Sequence, residues 1–149
     1  MSDPKPPGWL KPINKVMIML QKLGVVTGPV RVLTVLGRKS GLPRSTPATP
    51  FTFDGAVYVA GGYPRADWVL NIRAAGEGTV ARGRSSERVR FVELTAEEAR
   101  PVFRVFPKEV PGGVGFYKRS GLVTDGTPEE FEALAGRFPV FRLDPVTTP

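Results

Sequence analysis

From Val30 onward the apolar residues come in short runs broken by Gly, Pro and small polar residues, a spacing that favours strands over long helices. Val30–Leu36 reads as a strand and Thr46–Phe53 as its neighbour. Asp54-Gly55 is a turn signal, so Ala56–Ala60 should be the next antiparallel strand, ended by the bare backbone of Gly61-Gly62. Thr79–Arg84 and Glu87–Leu94 are two further strands, separated by Ser85-Ser86, and Pro139–Leu143 is the last. Helical spacing occurs elsewhere. Ile13, Val16, Met17, Leu20 and Leu23 share one face of an amphipathic helix that Gly24 ends. Ala66–Ala75 opens with Asp67, stops at Gly76 and aligns Trp68, Asn71, Ile72 and Ala75. Thr95-Ala-Glu-Glu98 is close to a capping box, and the helix it starts should be interrupted or stopped by Pro101 and Pro107. Thr127-Pro-Glu-Glu130, with Pro128 at the first helical position, precedes a helix over Phe131–Phe138. The Gly-rich stretch Pro111–Gly126 reads as an irregular loop.

Several antiparallel strands with short helices between them predict a mainly β (α+β) fold, a small barrel of about six strands. Residues 1–12 are expected to form a flexible arm, 13–24 the amphipathic helix and 25–149 the barrel. A chain of 149 residues is long enough for one domain with a genuine core. Its 17 Gly and 16 Pro agree with a turn-rich fold.

Composition narrows the chemistry. With neither Cys nor His, thiolate nucleophiles, imidazole acid–base work and Cys/His metal sites are excluded. A reaction must therefore rely on a bound cofactor, carboxylates, hydroxyls or Arg and Lys. The net charge is +7, and residues 1–50 hold eight Lys or Arg against one acid, so the whole excess lies there. Such a field attracts an anionic partner: a phosphorylated cofactor, nucleic acid or a lipid surface. No signal peptide or transmembrane span is evident, which by default points to the cytoplasm. The amphipathic helix fits packing on the domain, a dimer contact, or peripheral membrane contact through Lys5, Lys11, Lys15 and Lys22.

Within the basic third, Gly37-Arg-Lys-Ser-Gly41 forms a tight turn between the first two strands. Arg38, Lys39 and Arg44 are close enough to converge on one anion, Ser40, Ser45 and Thr46 add hydroxyls, and the glycine backbone can supply an amide nest. The P-loop pattern is missing, and on composition alone a solvated basic hairpin is the better explanation.

The order of residues adds more. Leu33-Thr-Val-Leu-Gly-Arg-Lys-Ser-Gly-Leu-Pro-Arg-Ser-Thr-Pro47, then Val57-Tyr-Val-Ala-Gly-Gly62 and Trp68-Val-Leu-Asn-Ile-Arg-Ala74, closely resembles the deazaflavin-dependent nitroreductase family, a branch of the split β-barrel flavin/deazaflavin oxidoreductases related to FMN-binding and pyridoxamine-phosphate-oxidase proteins. The resemblance covers roughly residues 30–82 and returns in Phe138–Pro145. It implies coenzyme F420 as cofactor, with FMN as the alternative. Arg38, Lys39 and Ser40 would meet the phosphate or oligoglutamate tail, with Arg44 in reach. Ser45, Thr46, Pro47, Ala48 and Thr49 would run beside the ring, and Ala60, Gly61 and Gly62 would approach the ring or its ribityl chain. Trp68 and Asn71 would wall the site, with Asp67 and Val69 adding backbone contacts. Trp68 as a core anchor and Asn71 as a helix-face hydrogen-bonder are the ordinary alternatives. Tyr117 or Tyr63 would donate to an acceptor oxygen, or simply pack.

The activity implied is hydride transfer to an electron-poor small molecule: an enone, a quinone or a nitroaromatic. Gly62 stands where the nitroreductase pattern has Ser, and Phe106–Tyr117 replaces its tyrosine-rich cover, which sets nitroimidazole reduction apart. A non-catalytic barrel carrying a fatty acid, flavin or tetrapyrrole is the alternative. Nucleic acid is not expected, because no reading module accompanies the charge. The chain is expected to be a monomer or homodimer.

Overall fold

The computed structural model describes residues 30–61 and 63–146. The expected N-terminal arm, the helix over 13–24 and Gly62 lie outside the described residues. Among the described residues seven strands form one sheet: β1 (Arg31–Leu36), β2 (Pro43–Ala48), β3 (Phe51–Phe53), β4 (Ala56–Ala60), β5 (Glu77–Arg82), β6 (Ser85–Glu93) and β7 (Val140–Pro145). Four helices among the described residues accompany them: α1 (Asp67–Ala75), α2 (Ala96–Glu109), α3 (Pro111–Arg119) and α4 (Pro128–Glu132).

The strand order is β2-β1-β5-β6-β7-β4-β3, and every pair is antiparallel. Its two edges, β2 and β3, are consecutive in the chain and joined only by Thr49-Pro50. At 3.8 Å between successive Cα atoms such a link spans little more than 10 Å, so the sheet must curl until its edges meet. Hence the half-barrel. The expected single strand Thr46–Phe53 is thus two strands, broken where Pro50 cannot donate to a ladder.

Alternation along the strands separates two cores. Inside the curl, Leu33, Val35, Val59, Val89, Phe91, Phe141 and Leu143 pack with Val69 and Ile72 of α1. On the outer face, Val140, Tyr58 and Ala60 meet Val102, Phe103 and Phe106 of α2, with Tyr117 and Phe131 behind them. Period-2 alternation thus sends neighbouring residues of β4 and β7 to opposite cores.

Three expectations change. Helix α2 continues through Pro101 and Pro107. Its buried stripe of Ala99, Val102, Phe103 and Phe106, with a complete capping box between Thr95 and Glu98, outweighs the two missing backbone bonds. Of the loop expected over Pro111–Gly126, residues 111–119 form the helix α3, with Pro111 in its first turn, and 120–126 are irregular. A Cβ on Gly113 would sit 2.9 Å from the Phe106 ring, so close packing here requires the glycine that propensity penalises. Conversely, α4 stops at Glu132, well short of Phe138.

A single carboxylate organises the chain before α4. Glu130 accepts backbone N–H bonds from Thr124 (2.6 Å), Asp125 (2.9 Å), Gly126 (2.8 Å) and Thr127 (3.2 Å). These bonds, that from Thr124 foremost, lower its pKa from 4.5 to about 2. A depressed carboxylate pKa contributes stability above the unfolded value, lost as pH falls from 4.5 towards 2. Glu130→Gln should therefore lower the melting temperature at neutral pH and flatten the acid limb of the stability profile across that window. Thermal melts of both proteins across that pH range check this.

Candidate functional site

The basic turn closes on its own amides. The Gly37 N–H donates to the Leu42 carbonyl (2.8 Å), the Gly41 N–H to the Gly37 carbonyl (2.9 Å) and the Leu42 N–H to Ser40 Oγ (3.2 Å). The Arg38 N–H donates to Asn71 Oδ1 (3.1 Å). An open amide nest is therefore not what the turn offers, because these donors hold the loop itself together. Gly41 takes φ +70°, and a Cβ on Gly37 would lie 2.9 Å from Ser40 Oγ and 3.2 Å from Arg44 Cγ. That close approach lets Arg44 lie alongside the turn, with Nη2 3.5 Å from Ser40 Oγ.

Lys39 and Arg44 are exposed, and among the described residues neither has a carboxylate partner. Arg38 is different. It reaches back to α1, where Nη1 donates to Asn71 Oδ1 (2.7 Å) and Nη2 pairs with Asp67 Oδ1 (3.2 Å). Two exposed leucines, Leu36 and Leu42, flank the turn.

Below the turn, Thr46, Pro47, Ala48 and Thr49 run half-buried along or just beyond β2. Because β2 is an edge strand, one side of its backbone bonds β1 while the other has no strand partner among the described residues. Pro43 and Pro47 interrupt that edge and discourage a further strand. Ser45, on the face opposite to Thr46 and Ala48 and shared with Pro47, has a 2.8 Å hydrogen bond with Thr34 directly across from it. On the α1 side, half-buried Trp68 covers Gly61, whose absent Cβ would stand 3.1 Å from both Trp68 Cζ2 and Pro139 Cγ. Its indole also packs on Phe141, with ring centroids 6.5 Å apart. Val69 is buried in the inner core, leaving only its backbone for a ligand. The side chain of Ala60 packs on the outer cluster.

The structure thus joins Arg38, Asp67 and Asn71 directly, Ser40 with Arg44, and Gly61 with Trp68. The two candidate tyrosines make other contacts. Tyr63 shares a 3.0 Å hydrogen bond with Ser120 and meets Phe116 edge-on at 5.7 Å. Tyr117 is buried among Phe106, Phe116 and Phe131, its hydroxyl without a hydrogen-bond partner among the described residues, and burial pushes its pKa well above the ordinary value. Sequence reasoning missed Thr34, Pro139 and Ser120. Counting register outward from the Gly37–Leu42 turn would have found Thr34; nothing local marks the other two.

The donor set fits an anionic tail: two cations and a hydroxyl at the mouth, without carboxylate partners among the described residues, next to an edge strand and an indole suited to a flat ring. The curled antiparallel half-barrel is a split-barrel fold. Three solved structures share the fold. One described as a domain-swapped dimer is 20% identical, with TM-score 0.56 and coverage of 91% of this chain and 97% of its own. An F420-H2-dependent reductase is 23% identical, with TM-score 0.54 and coverage of 78% and 95%. An FAD-binding protein from Mesorhizobium loti is 14% identical, with TM-score 0.51 and coverage of 87% and 89%. No curated protein matches the sequence.

The model of the F420H(2)-dependent quinone reductase family matches residues 16–121, and the chain belongs to that family. It is an oxidoreductase with coenzyme F420 as cofactor. The resemblance read from the Gly37–Gly41 turn and Trp68-x-x-Asn71 agrees with the family in coenzyme and fold.

Proposed function

We propose that the protein reduces quinones with hydride taken from reduced coenzyme F420, bound along β2 with its anionic tail at the Gly37–Gly41 turn. The observation that carries this reading is the pair of exposed cations, Lys39 and Arg44, without carboxylate partners among the described residues, at the end of an edge strand within a quinone reductase family. The bound coenzyme supplies the hydride, so the absence of His and Cys is no obstacle. The chain's own residues bind and orient. Lys39, Arg44 and Ser40 hold phosphate or carboxylates, while Thr46–Thr49 and Trp68 flank the ring and leave one face to the acceptor. Two-electron reduction of a quinone also takes up a proton, and Tyr63 is the better-placed phenol, its hydroxyl already in a hydrogen bond with Ser120. Tyr117 can serve only after α3 shifts.

Purified protein mixed with reduced coenzyme F420 should oxidise it when a para-quinone is added, and more slowly with an enone or a nitroaromatic of similar size. Absence of oxidation with all three overturns the reading. A relative's domain swap makes a homodimer the assembly to test by light scattering.

A second reading has one observation behind it. At the far end of the barrel from the turn, an apolar groove of about 300 Å³ is lined by Val57, Val80, Val89 and Leu143, with Arg31 and Glu87 at its rim. Its size suits an acyl chain, as in a carrier. Native mass spectrometry showing copurified lipid and no F420 binding would favour it.

A further inference from the structure

Tyrosines aside, Asn71 is the buried polar side chain among the described residues, at 5% exposure. Its one carboxamide oxygen serves Arg38 twice, accepting from the backbone N–H at 3.1 Å and from Nη1 at 2.7 Å. It therefore fixes both the turn and the root of the guanidinium. One helical turn earlier, Asp67 offers its carbonyl to Nη1 at 3.5 Å and its carboxylate to Nη2 at 3.2 Å. The two partners differ in kind. Asn71 is neutral and enclosed, whereas the Asp67 side chain is 79% exposed against 24% for Arg38. Asp67 thus sits on the outward side of the guanidinium, where an incoming anion must arrive.

Resting on the coenzyme assignment above, we propose that Asp67 is an internal competitor for the coenzyme's anionic tail and Asn71 the positioning residue that keeps Arg38 aimed at the shared place. A guanidinium presents five N–H donors in a rigid fork. With Nη1 directed at Asn71 Oδ1 and the Asp67 carbonyl, the Nε/Nη2 edge is the one for which the Asp67 carboxylate, now on Nη2, and a phosphate or carboxylate of the ligand compete. Binding then exchanges one ion pair for another, so the anion gains less than a bare arginine would give, and departure is helped by a carboxylate ready to return. A coenzyme that leaves oxidised and returns reduced on each cycle needs such exchange.

The ordinary explanation for Asp67 is an acid in the first turn of α1, favourable to the helix dipole. That role makes an opposite forecast. Asp67→Asn would then lower the melting temperature and leave ligand affinity unchanged or weaker. On our proposal Asp67→Asn binds coenzyme F420 about two- to fivefold more tightly at low ionic strength, the range for an exposed pair. The gain closes in about 1 M salt, where the Debye length is ~3 Å. Asn71→Asp, which adds a charge at the root of Arg38, should weaken binding.

The experiment is a fluorescence titration of coenzyme F420 into the wild-type protein, Asp67→Asn and Asn71→Asp, with inorganic pyrophosphate titrated in parallel and followed by the Arg38 amide NMR signal. Tighter binding in Asp67→Asn and weaker binding in Asn71→Asp are the expected results. Equal or weaker binding in Asp67→Asn, while the wild type binds, overturns the proposal and leaves the coenzyme assignment intact. If the wild type ignores coenzyme F420, that assignment fails. Pyrophosphate then decides the competitor role alone: a larger affinity in Asp67→Asn supports it, and an equal or smaller one overturns it.

Discussion

Replacing Arg38, Lys39 and Arg44 together by alanine is expected to weaken the binding of coenzyme F420 at least roughly 100-fold. Hydrogen bonds to charged groups are each worth about 1.5–3 kcal/mol, and removing two of them, even short of full additivity, already reaches that factor. Lys39 and Arg44 should contribute most, because among the described residues neither has a carboxylate partner, whereas Arg38 is paired with Asp67. The effect should be steep in low salt and shallower as salt screens the site. The fold should survive, since the Gly37 and Gly41 amide bonds close the turn independently of these side chains. Fluorescence titration, with a thermal melt of the triple variant as control, checks both halves.

The second large effect is on stability. Phe103 is fully buried where α2 meets the outer face of the sheet, and Phe103→Ala should cost about 3–5 kcal/mol. For a chain of this size that is a fall of roughly 10 °C in melting temperature. Pro101→Ala should do the reverse. Pro101 is exposed in the interior of α2, where proline forfeits the bond to the carbonyl four residues earlier and crowds it. Its replacement should gain about 1–2 kcal/mol, because the unfolded chain's added freedom offsets part of the gain. Denaturant titrations of both variants test whether packing, and not local preference, holds α2. The result bears on function, since α2 supports α3, which carries Phe116 against Tyr63.

Where local chemistry decides, the sequence is readable. Asp54-Gly55 forces the hairpin that gives β4 its limits, and Gly76 in the left-handed region ends α1. Gly83, at φ +59°, makes the β5–β6 turn expected at Ser85-Ser86; glycine tolerates that backbone and serine resists it. Tertiary packing hides the rest. Around Pro111–Arg119 the three glycines mask the start signal of Pro111, and Gly113 stands where a Cβ would meet Phe106. In the site, the turn and Trp68-x-x-Asn71 are legible as an ordered pattern. Their connection is not. Arg38 and Asn71 are 33 residues apart, and only the packing of α1 against β1 brings the amide oxygen under the turn. Asp67, expected to offer a backbone contact, proves to be a counter-ion for Arg38 through its carboxylate.

A crystal structure with bound coenzyme F420 tests the central claim most directly. The tail should lie on Lys39, Arg44 and Ser40, the ring along Thr46–Thr49 beside Trp68, and one ring face should remain open. A coenzyme lodged instead in the groove between Val57 and Leu143, or a tail that touches none of the three basic residues of the turn, would contradict it.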